Sequence, residues 1–366
     1  MYITLLNTEF VPIAILDYYE SLIWTDRYRE AGDFEMYFKM NTSTYTLIQQ
    51  NFYLINTDSE HVMIIEKKEI ISDIENGDRL LIRGRSLESI VERRVVWKQT
   101  NFDSTKGDTL HNGIKKLLQD AFGNQTDPTL AKRKLENFRF VESTDPVLLG
   151  LTLTAQYTGE SIYEILVDLC QDVGIGFKIG LDVNNNFCFM LYLGADRSTN
   201  QTENPQIIFS TYFDNIFNSD YLEDYEPYRN VALIAGEGEG KDQKTAFSWG
   251  KEKTEPEGLF RRELYVDAKD ISSNTEEKTL SNLEYTNALK QRGQEKLSEN
   301  KISRTFDGEV DSDGMFVLNR DFFLGDIVQF IDAYGNNRSV RVEEYIISDD
   351  TSELKFYPSF TVIDSE

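Results

Sequence analysis

Two stretches of this chain share one pattern: residues 52–73 read FYLINTDSEHVMIIEKKEIISD, and residues 328–349 read VQFIDAYGNNRSVRVEEYIISD. Each begins with an apolar strand, crosses a polar turn, continues as an alternating strand and ends in Ile-Ile-Ser-Asp. Each then passes an acidic turn into a further strand, Arg79–Arg83 or Glu353–Tyr357. The matched order predicts two related β-domains in one chain. Such a duplication favours a symmetric assembly over a catalytic pocket.

Length and charge narrow the class of protein. A chain of 366 residues exceeds one hydrophobic core, so two to four domains are expected. Its hydrophobic content of 40% excludes a disordered chain. The net charge of −25 repels phosphate backbones, which argues against nucleic-acid binding through counterion release. The acidic surface could simply keep the protein soluble, and it would also suit a protein that DNA passes without specific binding.

The cysteines and the first residues bear on cellular location. Cys170 and Cys188 are too few for a disulfide framework or a zinc site, and both are expected to be buried. Residues 1–9 read as a strand rather than a signal peptide, and no apolar run reaches membrane-spanning length. We expect assembly in a host cytoplasm and no membrane insertion by this chain.

The chain divides into four predicted segments and a β-rich α+β fold. Residues 1–97 form a first β-domain, and residues 98–213 an inserted α/β domain. Residues 214–240 and 305–366 form a second β-domain. Residues 241–304 form a smaller insertion with strands and a helix.

Strand and turn signals recur through these segments. Phe34, Met36 and Phe38 alternate as in a half-buried strand. The hairpin Glu66–Arg83 is predicted to turn at Asn76-Gly77, a dipeptide favoured in tight turns.

Another hairpin is predicted around residues 184–186. The stretch from Asp182 to Asn186 imitates a calcium loop. However, Phe187 stands where the loop needs glycine and Leu193 where it needs glutamate, so we predict a turn without metal.

Two helices carry clear signals. The first follows Asp108 with an apolar stripe and ends at Gly123. The second is predicted to start with a capping box of Ser161 and Glu164 and to stop at Gly174.

We predict no catalytic, cofactor or metal residues. The only histidines, His61 and His111, have no ordered Ser or Cys motif nearby and are expected to be solvated. Carboxylate pairs of the kind that glycosidases use arise by chance in a chain with 63 acidic residues.

Two groups of residues are candidates for contacts between subunits. The first is the charged loop Thr25–Asp33, whose Asp26, Arg27, Tyr28 and Arg29 are the candidate contact residues. The alternative interpretation of this segment is an ordinary surface loop. A basic cluster has two competing interpretations, an inter-subunit contact or a solvated hairpin end and helix C-terminus. It consists of Arg83, Arg85, Arg93 and Arg94.

Several stretches resemble a known family. They are WTDRYREAGDFEMYF at residues 24–38, IIEKKEI at 64–70, ENGD at 75–78 and LLIRGRSLESI at 80–90. They resemble the tail hub proteins of bacterial viruses, which are also the N-terminal structural module of tail-associated lysins, and the hubs of phage-tail-like particles. The first ~100 residues carry most of this match.

The resemblance implies a homotrimeric ring below the tail tube, at the tail tip or baseplate of a virion. Each chain would hold two tube-like β-barrels, so that three chains present six barrels to a sixfold tube and line a DNA channel. Implied partners are a tail tube or distal tail protein, a tape-measure protein, and a spike, fibre or lysin.

Two alternatives from other classes stay open. Many relatives continue into a wall-degrading domain, whereas this sequence ends at Glu366, so we expect no enzyme activity here. A tail-tip cell-wall hydrolase or peptidase fragment is the first alternative. A carbohydrate-binding module is the second, and it would need an exposed aromatic platform.

Overall fold

The computed structural model describes residues 1–72, 77–123, 127–128, 130–250, 254–274, 279–310, 315–350 and 352–363. Contacts within the chain divide it into two compact units. The first unit comprises Met1–Ser89, Ile175–Leu222 and Arg304–Glu366, and the second comprises Ile90–Gly174 and Glu223–Ser303.

The described residues form twenty-one β-strands and five α-helices. The strands are β1 Ile3–Leu6, β2 Pro12–Leu16, β3 Ser21–Arg27, β4 Asp33–Lys39, β5 Tyr53–Asn56, β6 Val62–Ile71, β7 Arg79–Ser86, β8 Thr100–Phe102, β9 Phe138–Phe140, β10 Ala155–Tyr157, β11 Gly176–Leu181, β12 Phe187–Tyr192, β13 Ile208–Ser210, β14 Phe217–Asp224, β15 Val231–Ala235, β16 Thr245–Trp249, β17 Glu263–Asp267, β18 Ser303–Glu309, β19 Ile327–Ile331, β20 Asn337–Asp350 and β21 Leu354–Val362. The helices are α1 Thr42–Leu47, α2 Leu110–Phe122, α3 Pro146–Gly150, α4 Ile162–Val173 and α5 Asn282–Glu299.

One sheet of thirteen strands organises the first unit. Its order is β14-β18-β21-β20-β3-β4-β7-β6-β5-β1-β2, with β19 paired to β20 and β13 paired to β19. The pairing of β3 with β20 is antiparallel, from Arg27 opposite Glu344 to Ser21 opposite Asp350. Strands from the two ends of the sequence therefore share one hydrogen-bonded sheet.

The strand order predicted for the two related stretches is present in both. β5, β6 and β7 form one antiparallel meander, and β19, β20 and β21 form another. Each contains a bulge in its long strand, at Glu66 in β6 and at Glu343 in β20. The two bulges lie one position apart when the shared Ile-Ile-Ser motifs are aligned. A bulge bends its strand and increases the local twist, so we expect the two meanders to curve at nearly equivalent positions.

Alternation along the strands builds the core of the first unit. Phe34, Met36 and Phe38 are all buried, as their spacing predicts. In the C-terminal strands, the rings of Phe306 and Phe330 stack at 4.2 Å between centroids. Truncating a buried ring of this kind to alanine costs about 3–5 kcal/mol of folding free energy.

The second unit contains a small sheet covered by a helix. β15 pairs antiparallel with β16 and parallel with β17, and α5 packs against this sheet. Gly293 permits the close approach, because a Cβ there would lie 2.6 Å from atoms of Ile234 and Ser248. The core between helix and sheet includes Ile234 and Leu289.

The helix predictions are confirmed except for one cap. α2 ends at Gly123, and α4 ends at Gly174 in the left-handed conformation with φ 73°. The capping box predicted at Ser161 is absent, since its hydroxyl is buried and caps no backbone N–H. A complete capping box instead starts α5, between Ser281 and Glu284.

Other expectations are met in part. Cys170 and Cys188 are not joined by a disulfide; Cys170 is buried, as predicted, whereas Cys188 is only half-buried. The turn predicted at Asn76-Gly77 falls partly outside the described residues.

The division into four segments stays a prediction, because the two compact units do not define which segments form separate barrels. In the described residues, no helix is both long enough and apolar enough to cross a membrane.

Candidate functional site

Two four-strand groups with the same connectivity make up most of the large sheet. The N-terminal group is β3-β4-β7-β6, and the C-terminal group is β14-β18-β21-β20. In each group, the strands that lie side by side are the first, second, fourth and third of the group in chain order. A short strand, β5 or β19, also pairs with the third. The groups join where β20 of the second pairs with β3 of the first. This contact is called the β3–β20 junction below.

Ion pairs reinforce the junction. The Arg27 guanidinium donates a hydrogen bond from Nε to Oε1 of Glu344 at 2.6 Å, and it also binds Asp33. Two residues farther along the chain, Arg29 donates to the carboxylate of Glu343, the bulged residue of β20. Charge-assisted hydrogen bonds of this kind are among the stronger polar contacts in proteins.

The loop predicted at Thr25–Asp33 is shorter in the structure. Thr25–Arg27 belongs to β3 and Asp33 begins β4, so the connection is confined to residues 28–32, and the side chains of Asp26 and Tyr28 are buried. Asp26 accepts hydrogen bonds from Trp24 Nε1 and Ser59 Oγ. The contact between subunits expected from Asp26, Arg27, Tyr28 and Arg29 stays a prediction.

Tyr28 is a central packing residue of the first unit. Its hydroxyl donates to the carbonyl of Tyr192 at 3.2 Å, and the two rings meet edge to face at 5.1 Å. Its ring lies so close to Gly176 and Gly325 that a Cβ at either would come within 2.2 Å. Burial is the main cause that raises the pKa of Tyr28 to about 12, so its hydroxyl stays protonated at neutral pH.

The four arginines of the basic cluster belong to two different units. In the first unit, Arg83 binds Glu35, and Arg85 binds Glu66 with Nε 2.9 Å from Oε2. Their side chains are 39% and 40% exposed, so both reach solvent while paired. Arg93 and Arg94 lie in or just after the 3-10 helix Leu87–Arg93, in the second unit. Arg94 donates to the carbonyls of Arg93 and Arg133.

The two four-strand groups leave matching open sides. In the part of the chain that the structure describes, β14 is a terminal strand and pairs only with β18. β5 pairs with β6 only as far as Ile64, and no described strand continues along that side of residues 66–71. By the shared connectivity, β6 corresponds to β20 and β14 corresponds to β3. The open sides of β6 and β14 thus correspond to the two sides of the β3–β20 junction.

Charges on the open sides are complementary. Lys67 follows the bulge of β6 as Glu344 follows the bulge of β20, and its side chain is exposed. β14 is acidic, with Asp220 exposed and Glu223 and Asp224 at its end. Lys67 on β6 and the carboxylates on β14 have opposite charges, as Glu344 and Arg27 do, while β6 also has the exposed Glu69.

A third open strand is apolar. β2 ends the sheet beyond β1, and Val11, Ile13 and Ile15 are 52%, 40% and 57% exposed. Ile13 occupies a bulge between the paired positions of β1 and β2. Exposed apolar edge strands are prone to pair with other chains, so this edge is a candidate contact surface.

The sequence contains a signal for this edge that our predictions did not use. Proline cannot donate to a strand ladder, so Pro12 inside an apolar run favours an edge strand. The open sides of β6 and β14 have no such signal, because they are defined by which strands pair elsewhere.

Both histidines are buried, which corrects the expectation that they are solvated. His111 lies in α2 and accepts a hydrogen bond from the Ser143 N–H at 3.2 Å. His61 Nδ1 lies 3.2 Å from Glu88 Oε1. The same Glu88 oxygen accepts from the N–H of Ile179 at 2.7 Å, which links the cluster to β11.

Asp26, His61 and Glu88 form one buried titratable cluster. Burial alone would lower the pKa of His61, but the carboxylates of Glu88 and Asp26 outweigh it and raise the pKa to about 9. The pKa of Glu88 is lowered, because the imidazolium and hydrogen bonds outweigh burial. For Asp26 burial dominates and raises the pKa. His61 is consequently a cation at neutral pH.

A cavity of about 300 Å³ opens above this cluster. Asp26 and His61 lie at its base, and Lys178, Arg197 and Asp326 are among its other lining residues. The arrangement lacks a nucleophile with its base: Ser59 donates to Asp26 rather than to the imidazole, and a protonated His61 accepts no proton. The cluster fastens β3, β6 and β11 together.

A second cluster surrounds Arg292 in the second unit, beside a cavity of about 370 Å³. The guanidinium is 8% exposed and lies 3.0 Å from a Glu160 oxygen and 3.1 Å from an Asp270 oxygen. Glu295 lies next to it at 3.6 Å. Burial raises the pKa of Glu295 to about 7, despite the opposing charge of Arg292.

The described residues contain no group of three or more His, Cys, Asp or Glu side chains that could hold a metal ion. The stretch that imitates a calcium loop is a hairpin turn, as predicted. Asp182 accepts hydrogen bonds there from the N–H groups of Asn184 and Asn186. Asp332 accepts in the same way from Tyr334 and Asn336 in the turn between β19 and β20.

Comparison with known proteins agrees with this fold. The sequence profile of the Siphovirus ReqiPepy6 Gp37-like protein family matches residues 2–360. No curated protein sequence matches the chain.

Three solved structures share the fold. A tail protein from Neisseria meningitidis MC58 is 14% identical, with a TM-score of 0.55 over 99% of this chain and 95% of that one. The 43 kDa tail protein of prophage MuSo2 from Shewanella oneidensis is 13% identical, with a TM-score of 0.53 over 98% of each chain. A chain of the lidded PdpA-VgrG complex of Francisella is 10% identical, with a TM-score of 0.53 over 99% of this chain and 52% of that one.

Proposed function

Because the chain belongs to the Siphovirus ReqiPepy6 Gp37-like protein family, a family of siphovirus tail proteins, we propose that it is a tail hub that closes into a homotrimeric ring. Its role is that of a structural tail protein, located in the virion tail. The ring, its place at the tail tip or baseplate, and its assembly in the host cytoplasm are the proposal.

One observation carries the ring: the β3–β20 junction has an unfilled counterpart in the same sheet. If β6 of one copy pairs with β14 of the next, every four-strand group has a neighbour on both sides. The contact is heterologous, because two different surfaces meet, and heterologous contacts that close produce rings. Three chains then supply six equivalent groups, the number that a sixfold tail tube requires. Each chain thereby converts threefold into sixfold symmetry.

The remaining partners follow from surfaces and charge. The apolar edge of β2 is the proposed contact for a tail tube or distal tail protein, because ring closure leaves it uncovered. The tape-measure protein and DNA would pass through the ring, and a chain of net charge −25 repels DNA rather than binding it. The VgrG in the Francisella complex is bound to PdpA, which supports a further protein, such as a spike, fibre or lysin, at the distal side of this hub.

The proposed junction is tested by reversing one charge. Lys67→Glu on β6 places a carboxylate opposite the acidic strand β14, and like charges across a strand pair are destabilising. We expect the purified wild-type chain to have three times its 42.3 kDa mass by light scattering, and the variant to be monomeric. Lys132→Glu, the same change at an exposed site in the second unit, is the control and keeps the trimer.

Negative-stain images of the wild-type assembly provide the second measurement. The expected particle is a threefold ring with six lobes around a channel. A monomer at every concentration, or a trimer unaffected by Lys67→Glu, would overturn the proposed junction.

A further inference from the structure

The sheet of the second unit has one covered face and one open face. The inner face, with Ala232 and Ile234, packs against α5. On the outer face, Leu233 of β15 lies between Phe247 of β16 and Tyr265 of β17 in the strand register. These three side chains are 48%, 49% and 61% exposed. They form a row of large apolar groups across three strands, called the aromatic face below.

The rows on either side complete the aromatic face. On one side, Trp249 lies opposite Val231, and its ring stacks with that of Phe247 at 6.1 Å and 27°. On the other side, Thr245 and Asp267 flank Ala235. The face thus has aromatic rings at its centre and hydroxyl and carboxylate groups at its margin.

The marginal polar groups are available to a ligand. The hydroxyls of Tyr265 and Thr245 have no hydrogen-bond partner among the residues that the structure describes. Asp267 uses one oxygen to accept from the Lys269 N–H at 3.1 Å, which leaves the other oxygen free to accept. Small-ligand sites are lined mainly by apolar and aromatic side chains, with a few polar groups that fix the orientation of the ligand.

We propose that the aromatic face binds a neutral glycan. The apolar C–H faces of a sugar ring pack against Phe247 and Tyr265, and sugar hydroxyls donate to Asp267 and exchange hydrogen bonds with the hydroxyls of Tyr265 and Thr245. Because α5 supports the sheet from behind, the rings are held in place before the ligand arrives.

Negative charge beside the aromatic face disfavours anionic polymers. Glu263 and Asp267 lie along the outer strand β17, and the nearby Arg261 is held by Glu263 and Glu255. On its outward-facing positions, β17 therefore has two carboxylates and no cation. Such a surface disfavours phosphate-rich polymers, including teichoic acids and nucleic acids.

Size favours a glycan over a protein. With strands about 4.8 Å apart and about 7 Å between successive side chains on one face, the three rows cover roughly 10 by 14 Å. This area suits one or two sugar rings and is far below the ~800 Å² that each partner contributes to a standard protein interface. Leu259 and Phe260, which are also exposed, lie in the turn before β17 rather than on the sheet.

The test uses the full chain on an array of neutral and anionic glycans, followed by calorimetry with cellohexaose, maltohexaose and the hexamer of N-acetylglucosamine. We expect binding to at least one neutral glycan. Phe247→Ala and Tyr265→Ala should each weaken it at least tenfold without changing the thermal midpoint. Tyr334→Ala, which removes a 93% exposed tyrosine of the first unit, is the matched control and leaves binding unchanged.

Three outcomes would overturn the proposal. They are an array with no neutral glycan bound, equal binding by the two aromatic-face variants, and a loss of oligomer mass in those variants. The last would assign the face to a protein interface. The ring proposed above is tested independently, because Lys67→Glu alters mass and not glycan binding.

Discussion

Arg27 and Glu344 are 317 residues apart in the chain, yet the Arg27 Nε and a Glu344 carboxylate oxygen are separated by only 2.6 Å. The pair marks the place where the first four-strand group continues into the second. Each side chain is at most about one third exposed, so solvent screens the contact only in part. The two halves of the sequence are therefore joined by specific side-chain chemistry as well as by backbone pairing.

Removing this arginine should weaken the junction. Arg27→Met keeps most of the aliphatic volume but leaves Glu344 and Asp33 without their cation. We expect the free energy of unfolding to fall by about 1–3 kcal/mol, the usual contribution of a hydrogen bond to a charged group. Urea unfolding followed by circular dichroism measures it. Arg320→Met, which breaks an exposed pair with Asp321, serves as the control and should cause no measurable change.

The buried histidine predicts a pH dependence of stability. The pKa of His61 rises from 6.5 in the unfolded chain to about 9 in the folded one. Its stabilising effect is therefore complete below pH 6.5 and is lost as the pH rises through 9. The loss reaches at most about 3 kcal/mol. Urea unfolding between pH 6.5 and 9.5 should show this decline in the wild type and a flatter profile in His61→Gln.

Two controls accompany the histidine experiment. His111→Gln removes the other buried histidine and should keep the decline. If His61→Gln does not fold, the imidazole signal of His61 in the wild-type NMR spectrum gives its pKa directly. A value near 6.5 would contradict the proposed role of Glu88 and Asp26.

Two glycines with the same backbone conformation should respond differently to alanine. Gly325 has φ 87° and Gly335 has φ 88°, so alanine strains either position by about 1–2 kcal/mol. At Gly325, however, a Cβ would lie 2.2 Å from the Tyr28 ring, whereas at Gly335 nothing lies within 4 Å. We expect Gly325→Ala to cost at least about 4 kcal/mol in urea unfolding and Gly335→Ala only the backbone strain. Equal losses would show that Tyr28 can move.

Local patterns predicted the parts of the fold that depend on neighbours in sequence. The two meanders, the helices ending at Gly123 and Gly174, and the buried faces of β4 were all readable, because alternation and capping act over a few residues. The β3–β20 junction was not readable, since no local signal tells which distant strand pairs with an edge.

The site residues show the same limit. A charged run such as Thr25–Asp33 usually indicates a surface loop, yet here its first three residues continue the central strand β3. His61 has the sequence context of a solvated turn. Its burial depends on Asp26 and Glu88, which only the folded sheet brings near. The aromatic face likewise requires knowing that α5 covers the opposite side of β15.

The second unit contains a carboxylate whose neutralisation should stabilise the protein. Burial raises the pKa of Glu295 from 4.5 to about 7, so above pH 7 the folded state holds a charge that it disfavours. A raised carboxyl pKa means that the folded state binds the extra proton between pH 4.5 and 7, and stability falls across this range. Glu295→Gln removes the charge and should raise the free energy of unfolding at pH 8 by about 1–3 kcal/mol. At pH 4.5, where the folded wild type is protonated, the gain should vanish.

Glu295→Gln also removes the attraction between this carboxylate and Arg292, which opposes the expected stabilisation. That guanidinium keeps the carboxylates of Glu160 and Asp270, both closer to it than Glu295, so the substitution leaves it paired. Glu164→Gln changes an exposed carboxylate of the same cavity and should have little effect at either pH. Thermal and urea unfolding of the wild type and both variants at pH 4.5 and 8 measure these changes in stability. A destabilised Glu295→Gln at pH 8 would mean that the pair with Arg292 outweighs the cost of burying the charge.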